Sequence, residues 1–423
     1  MESVLMPSEI ELFIDTMTPQ TMKQLGSDQW LNWHNRLQKL NQEAVVEAAC
    51  IKDEHVKETL VSFRKAPILV HEAILVNIWK YQVLPKLLKL EPAPKSTFIA
   101  YSILYHEGVC ISLLELVMYH SSCCEALGDS AVDLLDYACG VVSQLLSNKP
   151  QKKPTRNEES AQQELTRQRD VLTFSTGIRC LSILRYLAEN LDKLPMAVCS
   201  RMYTTHDLPV LLTEVLLERP WVSSDHSQQY VADKWKDWDG EQLGQVEAQV
   251  WLTLHYMLLG PECARHYPIT KSRRNQLVRL LPMVTPSLLD QMVPLMELKQ
   301  WLCRMSFMEE FASPPKLFLL ESVLEIKENI LRECGGKWKK IAEKQLSQIF
   351  TDDNETLKEA AKKLNEAYNT DLLEQFESKD GGPCAQCGNG AIQRCSQCKG
   401  TWYCSRACQV AHWPDHKRCC QVH

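Results

Sequence analysis

Glycine is scarce in this chain, 15 residues in 423, which excludes a collagen-like or linker-rich polymer. Basic charge is short as well. Lys and Arg number 47 against 53 Asp and Glu, for a net charge of −6 and a pI near 6.1. That balance speaks against a protein built to coat nucleic acid, because phosphate binding draws on clustered cations, and it favours protein partners. No stretch approaches the roughly 20 uninterrupted apolar residues that cross a bilayer, so no transmembrane segment is expected. The opening MESVLMPSEIELF has acids where a secretory signal needs bases, which makes the cytoplasm the expected compartment. Catalytic signatures are missing too: there is no Walker loop, no GxGxxG and no GxSxG. His71-Glu72 and His106-Glu107 open like HExxH, but the fifth positions are Leu75 and Cys110, which leaves ordinary helix residues. An SxxK, Ser313 to Lys316, is interrupted by Pro314 and Pro315, which mark a helix start.

What is present is an ordinary globular composition, 45% hydrophobic and 24% charged, on a chain long enough for a large core. Strand alternation is almost absent before residue 384, whereas helical spacing recurs. Phe174, Ile178, Leu181, Leu184, Leu187, Leu191 and Leu194 form one apolar stripe, and Leu357, Ala361, Leu364, Tyr368 and Leu372 form another. A mostly α body follows, an irregular α-solenoid or helical-repeat-like array in preference to a bundle; no strict repeat is visible, so the solenoid is degenerate.

Composition divides the chain. Residues 1–148 make an N-terminal helical region. Residues 149–164, KPQKKPTRNEESAQQE, are nearly devoid of apolar side chains and read as a polar mobile loop. Residues 165–377 continue the helical body, with a long loop at 219–245 whose Trp221, Trp235 and Trp238 either dock it on the body or form an exposed aromatic patch; docking is preferred. Residues 378–383, SKDGGP, read as a hinge before a cysteine-rich segment at 384–420.

That segment holds eight of the 18 cysteines in 37 positions, where the rate in the rest of the chain would place about one. It reads C-x2-C-x7-C-x2-C-x5-C-x3-C-x7-H-x3-C through Cys384, Cys387, Cys395, Cys398, Cys404, Cys408, His416 and Cys420. Zinc takes four thiolate or imidazole ligands, and a CxxC turn aims two sulfurs at one ion, so the spacing supplies two tetrahedral sets. The large apolar residues here, Ile392, Trp402, Tyr403, Val410 and Trp413, are too few to bury eight cysteines as a core. A segment this short folds on metal, and with every ligand place filled by protein no position stays open for a catalytic water. Cys419 stands beside Cys420, and His412 lies one helical turn before His416, so each is an alternative ligand. In the body, His120 with Cys123 and Cys124 is the nearest approach to another metal site, read as buried or solvated residues.

The order of cysteine pairs, Trp402-Tyr403-Cys404, Cys404-x3-Cys408-Gln409, and Trp413-x2-His416-Lys417 ahead of Cys420 closely resemble the MYND zinc-finger signature. The resemblance implies interleaved sites, with Cys384, Cys387, Cys404 and Cys408 on one zinc and Cys395, Cys398, His416 and Cys420 on the other. It also implies docking of a proline-containing peptide at Gln409 and Trp413. An indole face suits a proline ring, and a Gln amide can pair with an extended backbone. Arg394, Lys399, Arg406, Lys417 and Arg418 make the segment basic, but no C2H2 recognition helix accompanies them, and no nucleic-acid partner is expected. Some MYND fingers sit inside SET-domain lysine methyltransferases. With three residues after Cys420, the expectation is that no downstream catalytic half exists and that the chain is not an enzyme.

Beyond the finger, GSDQWLNWHNRLQKLN (26–41), LSILRYLAENLD (181–192), THDLPVLLTEVLLERPW (205–221) and GKWKKIAEKQLSQIF (336–350) resemble the zinc finger MYND domain-containing protein ten family over nearly the entire chain. That resemblance implies a cytoplasmic scaffold in pre-assembly of axonemal inner and outer dynein arms for the motile cilium, at centriolar satellites or dynein assembly foci. The implied partners are a leucine-rich-repeat dynein assembly factor, Hsp90-linked co-chaperones and dynein chains. A nuclear corepressor adaptor that recruits silencers through the finger is the alternative. The runs KSRR (271–274) and KWKK (337–340) are its only candidate import signals, and both read as solvated helix faces.

Overall fold

The computed structural model of the chain describes residues 4–50, 54–147, 160–307 and 323–353, followed by residues 355, 357–358, 361–362, 382–391, 393–395, 401–417 and 420. It forms two compact units, Met1–Ala361 and Lys362–His423. The first unit runs α1 Pro7–Asp15, α2 Asp28–Cys50, α3 His55–Ser62, α4 Ala66–Gln82, α5 Leu84–Leu90, α6 Phe98–Met118, α7 Ser121–Ala126, α8 Ser130–Ser147, α9 Ala161–Glu189, α10 Met196–Ser200 and α11 Leu208–Glu218. A hairpin of β1 Gln228–Val231 and β2 Lys234–Asp237 follows, then α12 Gln245–Leu259, α13 Pro261–His266, α14 Lys271–Val278, α15 Pro286–Gln291, α16 Leu295–Phe307, α17 Glu325–Cys334 and α18 Trp338–Ile349.

Helices α6 and α9 form the spine of the body. α6 lies among α2, α4 and α9, while α9 also carries α8 and α12. α6 is apolar on nearly every face, the pattern of a helix enclosed by others, whereas α9 is polar over its first turns and buried mainly from Phe174 onward. By length and composition the two could cross a membrane, yet most of each apolar window is buried inside the body, which accounts for their hydropathy. Ser160 starts α9 with a capping box: its side chain accepts the Gln163 amide while the Gln163 side chain accepts the Ser160 amide. Residues 161–164, expected in a mobile loop, therefore form the first turn of α9; the loop's residues 149–159 lie outside the described residues. At Gly177 a Cβ would stand 2.6 Å from Cδ2 of Leu145, so α8 and α9 approach closely there because glycine permits it.

Successive helices pack in an all-α array, and α17 and α18 then return to its N-terminal half, α17 against α4 and α8 and α18 against α5 and α6. Stacking of sequence neighbours alone would not supply these contacts. The return is pinned by polar groups. The Asp133 carboxylate of α8 accepts the amide N–H of Ile326 (3.4 Å) and Lys327 (3.2 Å) at the start of α17. Gln345 of α18 accepts the indole N–H of the fully buried Trp79 at 3.1 Å and donates to the Met22 carbonyl at 2.7 Å.

The long loop is less irregular than its composition implied. β1 and β2 pair antiparallel around Ala232 and Asp233, both left-handed at φ 49° and 61°, as a two-residue hairpin turn demands. Trp221 is fully buried, and Trp235 stacks on Phe174 of α9 with centroids 5.9 Å apart, so the segment is docked and does not form an aromatic patch. Arg179 of α9, which also pairs with Glu115 of α6, holds it through an ion pair to Asp233.

In the second unit, β3 Gly382–Pro383 pairs with β4 Gly390–Ala391, and β5 Gln393–Arg394 pairs with β6 Trp402–Tyr403, ahead of helix α19 Arg406–His416. Residues 382–383 of the expected hinge thus belong to a strand of the finger, and residues 378–381 lie outside the described residues, as do Leu364, Tyr368 and Leu372 of the second stripe, and Ser313 to Lys316.

Candidate metal centre

Two small hairpins and α19 gather the cysteines. The sulfurs of Cys384, Cys387, Cys404 and Cys408 all lie within 4.8 Å of one another. Cys387 and Cys404 are 3.4 Å apart, Cys404 and Cys408 3.4 Å, and Cys408 and Cys387 3.9 Å. Four sulfurs each about 2.3 Å from one tetrahedral ion stand about 3.8 Å from each other, so the set fits zinc. None of these thiols is in a disulfide. Amide N–H groups of Cys404, Gln386 and Cys387 overcome the raising effect of burial and bring the Cys384 thiol down to about 6, while hydrogen bonds with Cys387, Cys408 and Cys384 push Cys404 up to about 12. Amide donors aimed at sulfur favour the thiolate that a metal ion binds.

A second set joins the Cys395 and Cys420 sulfurs and one ring nitrogen of His416, again within 4.8 Å of one another. Cys395 and Cys420 are 3.9 Å apart, and the His416 Nδ1 lies 3.4 Å from the Thr401 hydroxyl, a contact that orients the ring. Cys398, the remaining candidate for this set, lies outside the described residues, as does Cys419. His412 is directed elsewhere, its Nδ1 3.0 Å from the Tyr403 hydroxyl. Among the described residues the finger's apolar interior is Cys384, Ala391, Cys395 and Tyr403, with Trp402 and Trp413 packed on it. So small a core needs metal to hold it.

Gln409 and Trp413 stand one turn apart on α19 and share a face. Both are half-buried, and Trp413 packs against the finger core while leaving part of its ring open. Val410, on the same helix, is 66% exposed.

The body candidates resolve differently. His120 pairs with Glu54 at 2.7 Å, while Cys123 and Cys124 are buried and their thiols are pushed up to about 12 by that burial; the three do not converge. A trio that spacing did not suggest, Cys199, Glu262 and His266, does converge, but the Glu262 carboxylate is already paired with Arg265 and His266. His71-Glu72 and His106-Glu107 are not ordinary helix positions. Glu72 accepts the Gln20 amide at 2.7 Å and contacts His71 and His106, and His106 meets His34 at 2.8 Å. Burial alone would raise the Glu72 carboxyl, but hydrogen bonds with His106 and His71 outweigh it and hold the group at about 2. Glu107 accepts from Lys80 (2.7 Å), Tyr137 (2.8 Å) and Asn77 (2.9 Å), all inside the body. No sequence motif signals these networks, because their members come from distant segments.

The MYND finger family model matches residues 384–420. A zinc finger MYND domain-containing protein 10 homolog of Drosophila melanogaster is 35% identical over 443 residues, spanning 98% of this chain and 98% of its own length. Shorter likenesses have about the finger's size. A human histone-lysine N-methyltransferase, SMYD3, is 49% identical over 43 residues, 10% of each chain. A mouse Tudor domain-containing protein 1 is 50% identical over 38 residues, 9% of this chain and 3% of its own. No solved structure matches the chain. No catalytic family is indicated, and the finger carries a protein-interaction role. A likeness that holds across nearly the whole length, body and finger together, places this chain in the zinc finger MYND domain-containing protein 10 family.

Proposed function

We propose that the chain is a non-enzymatic cytoplasmic scaffold in the pre-assembly of axonemal dynein arms, with the finger docking one partner and the helical body another. Family membership over the full length carries the proposal, and the convergence of two donor sets in the finger supports a docking module there. The finger would hold two Zn2+, one on Cys384, Cys387, Cys404 and Cys408, the other on Cys395, Cys398, His416 and Cys420. Bound zinc supplies folding energy to a module whose own core is minimal. Trp413 offers a flat apolar face and Gln409 an amide to a proline-containing segment of a leucine-rich-repeat assembly factor, while the body engages dynein chains or Hsp90-linked co-chaperones. Two weak sites on one chain raise each other's effective concentration, which gives avidity with no catalytic step.

Pull-down from ciliated cells with the full-length chain, with a chain ending before Cys384, and with Trp413→Ala tests this. The full-length chain should recover the assembly factor and both variants should lose it, with zinc content unchanged in Trp413→Ala. Equal recovery by all three would remove the finger's role, and chiefly nuclear signal on imaging would favour the corepressor adaptor instead.

A further inference from the structure

The body carries a groove of about 640 Å³ between α18, the end of α17 and residues 21–23. Lys23 stands on one wall, and Lys337, Lys340 and Lys344 on the other. All four are exposed, and none has an ion-pair partner among the described residues. Helical spacing sets the second wall, since Lys340 and Lys344 recur on one face of α18 and Lys337 stands at its N-cap. The preceding turn, with Gly335 and Gly336 left-handed at φ 53° and 69°, carries the chain into that wall. Like charges one turn apart repel, so Lys340 beside Lys344 is mildly destabilising as it stands. Glu333 is the one acid lining the groove among the described residues. On a chain of net charge −6, three lysines facing a fourth across a groove form a local field that calls for an anion.

Beneath the ammonium groups the floor is apolar: Met22, Cys334 and Ile341 are buried, and each lines the groove. We infer that this groove binds an acidic peptide segment of a partner protein, in which carboxylates meet the lysines and an apolar side chain rests on Met22 and Ile341. A nucleic acid fits less well. A phosphodiester backbone offers nothing to the apolar floor, and a long polyanion is repelled by the chain as a whole. The groove is built from residues of the body, and the inference does not depend on the role proposed for the finger.

The test measures fluorescence anisotropy of a fluorescein-labelled peptide of alternating glutamate and leucine titrated with the full-length, zinc-loaded protein. Its comparators are the matching lysine–leucine peptide and a short single-stranded DNA. The acidic peptide should bind, with affinity falling as salt rises. Lys340→Glu with Lys344→Glu should weaken it about tenfold or more, and Lys23→Glu, which shares no helix with them, should weaken it as well. Lys339→Glu provides the internal control, because Lys339 belongs to the same KWKK run but pairs with Glu343 and does not line the groove. It should change the affinity by less than about twofold. Absence of acidic-peptide binding, equal losses from Lys339→Glu and Lys340→Glu, no effect of Lys23→Glu, or DNA binding as tight as the peptide's would each overturn the inference.

Discussion

Replacing Glu107 with alanine should be among the most damaging single changes in the body. The side chain sits on α6 with its carboxylate facing Lys80 of α4, and side-chain exposure is 2% for Lys80 and 4% for Glu107. Alanine leaves an ammonium group buried without its counter-charge, and breaking such a pair from one side costs about 3–5 kcal/mol. The Tyr137 hydroxyl and the Asn77 amide lose their acceptor at the same time. Unmet buried donors cost about 1–3 kcal/mol each, though a water admitted to the vacated space would recover part of that. With the low end of each cost giving a total of about 5 kcal/mol and a body of this size losing about 2 °C per kcal/mol, Tm should fall by about 10 °C. Glu107→Gln should fall less, because its amide oxygen still accepts from Tyr137. Lys80→Met combined with Glu107→Leu should recover most of the loss, since both charges leave together. Thermal unfolding followed by circular dichroism measures all three. If Glu107→Ala unfolds within about 2 °C of the parent, or the double variant is no better than the single, the pair does not behave as a buried ion pair and the estimate fails.

Cys395→Ser with His416→Ala should reduce zinc from two ions per chain to one by elemental analysis and expose the finger to protease; retention of both ions would refute the ligand assignment. Gly177→Ala should destabilise the body by about 1–3 kcal/mol in urea titration, because its methyl would overlap Leu145 across the α8–α9 contact. Burial pushes the Glu47 carboxyl from its ordinary 4.5 up to about 7 against the pull of the Val56 amide. The folded state therefore holds that proton more tightly than the unfolded one, and the contribution is complete below about pH 4.5 and lost as pH rises through 7. Glu47→Gln, which never ionises, should raise Tm more at pH 8 than at pH 5; an equal change at both would contradict this.

Legibility in the sequence followed the range of the forces involved. The cysteine pattern was readable because CxxC turns are local, whereas the division into two sets came from family likeness and not from spacing. The stripe from Phe174 identified α9 but neither of its ends: Leu191 and Leu194 lie beyond Glu189, and residues 161–169 are polar apart from Ala161 and Leu165, so the decisive signal for the start is the Ser160–Gln163 cap. The β1–β2 hairpin escaped notice since Ala232 and Asp233, and not Asn-Gly, occupy its left-handed turn. His71, Glu72, His106 and Glu107 resembled failed metal motifs, yet their partners Gln20, His34, Lys80 and Tyr137 are 27 or more residues away from the groups they bind. The lysine groove was split in the same way: KWKK resembled a solvated face until the fold set Lys23 opposite it.

Late closure of the body by α17 and α18 bears on what a shortened gene product would become. A ribosome delivers the first 324 residues before the segment that seals Trp79 and α5 exists, so the nascent body waits with that flank open. A premature stop ahead of residue 325 should strand it in this sticky state, fit for chaperone capture and degradation. A stop between residues 353 and 384 should leave a sealed, long-lived body without the finger. Alleles on either side of that boundary should therefore differ in kind, the first losing the protein and the second keeping it while severing one of its attachments.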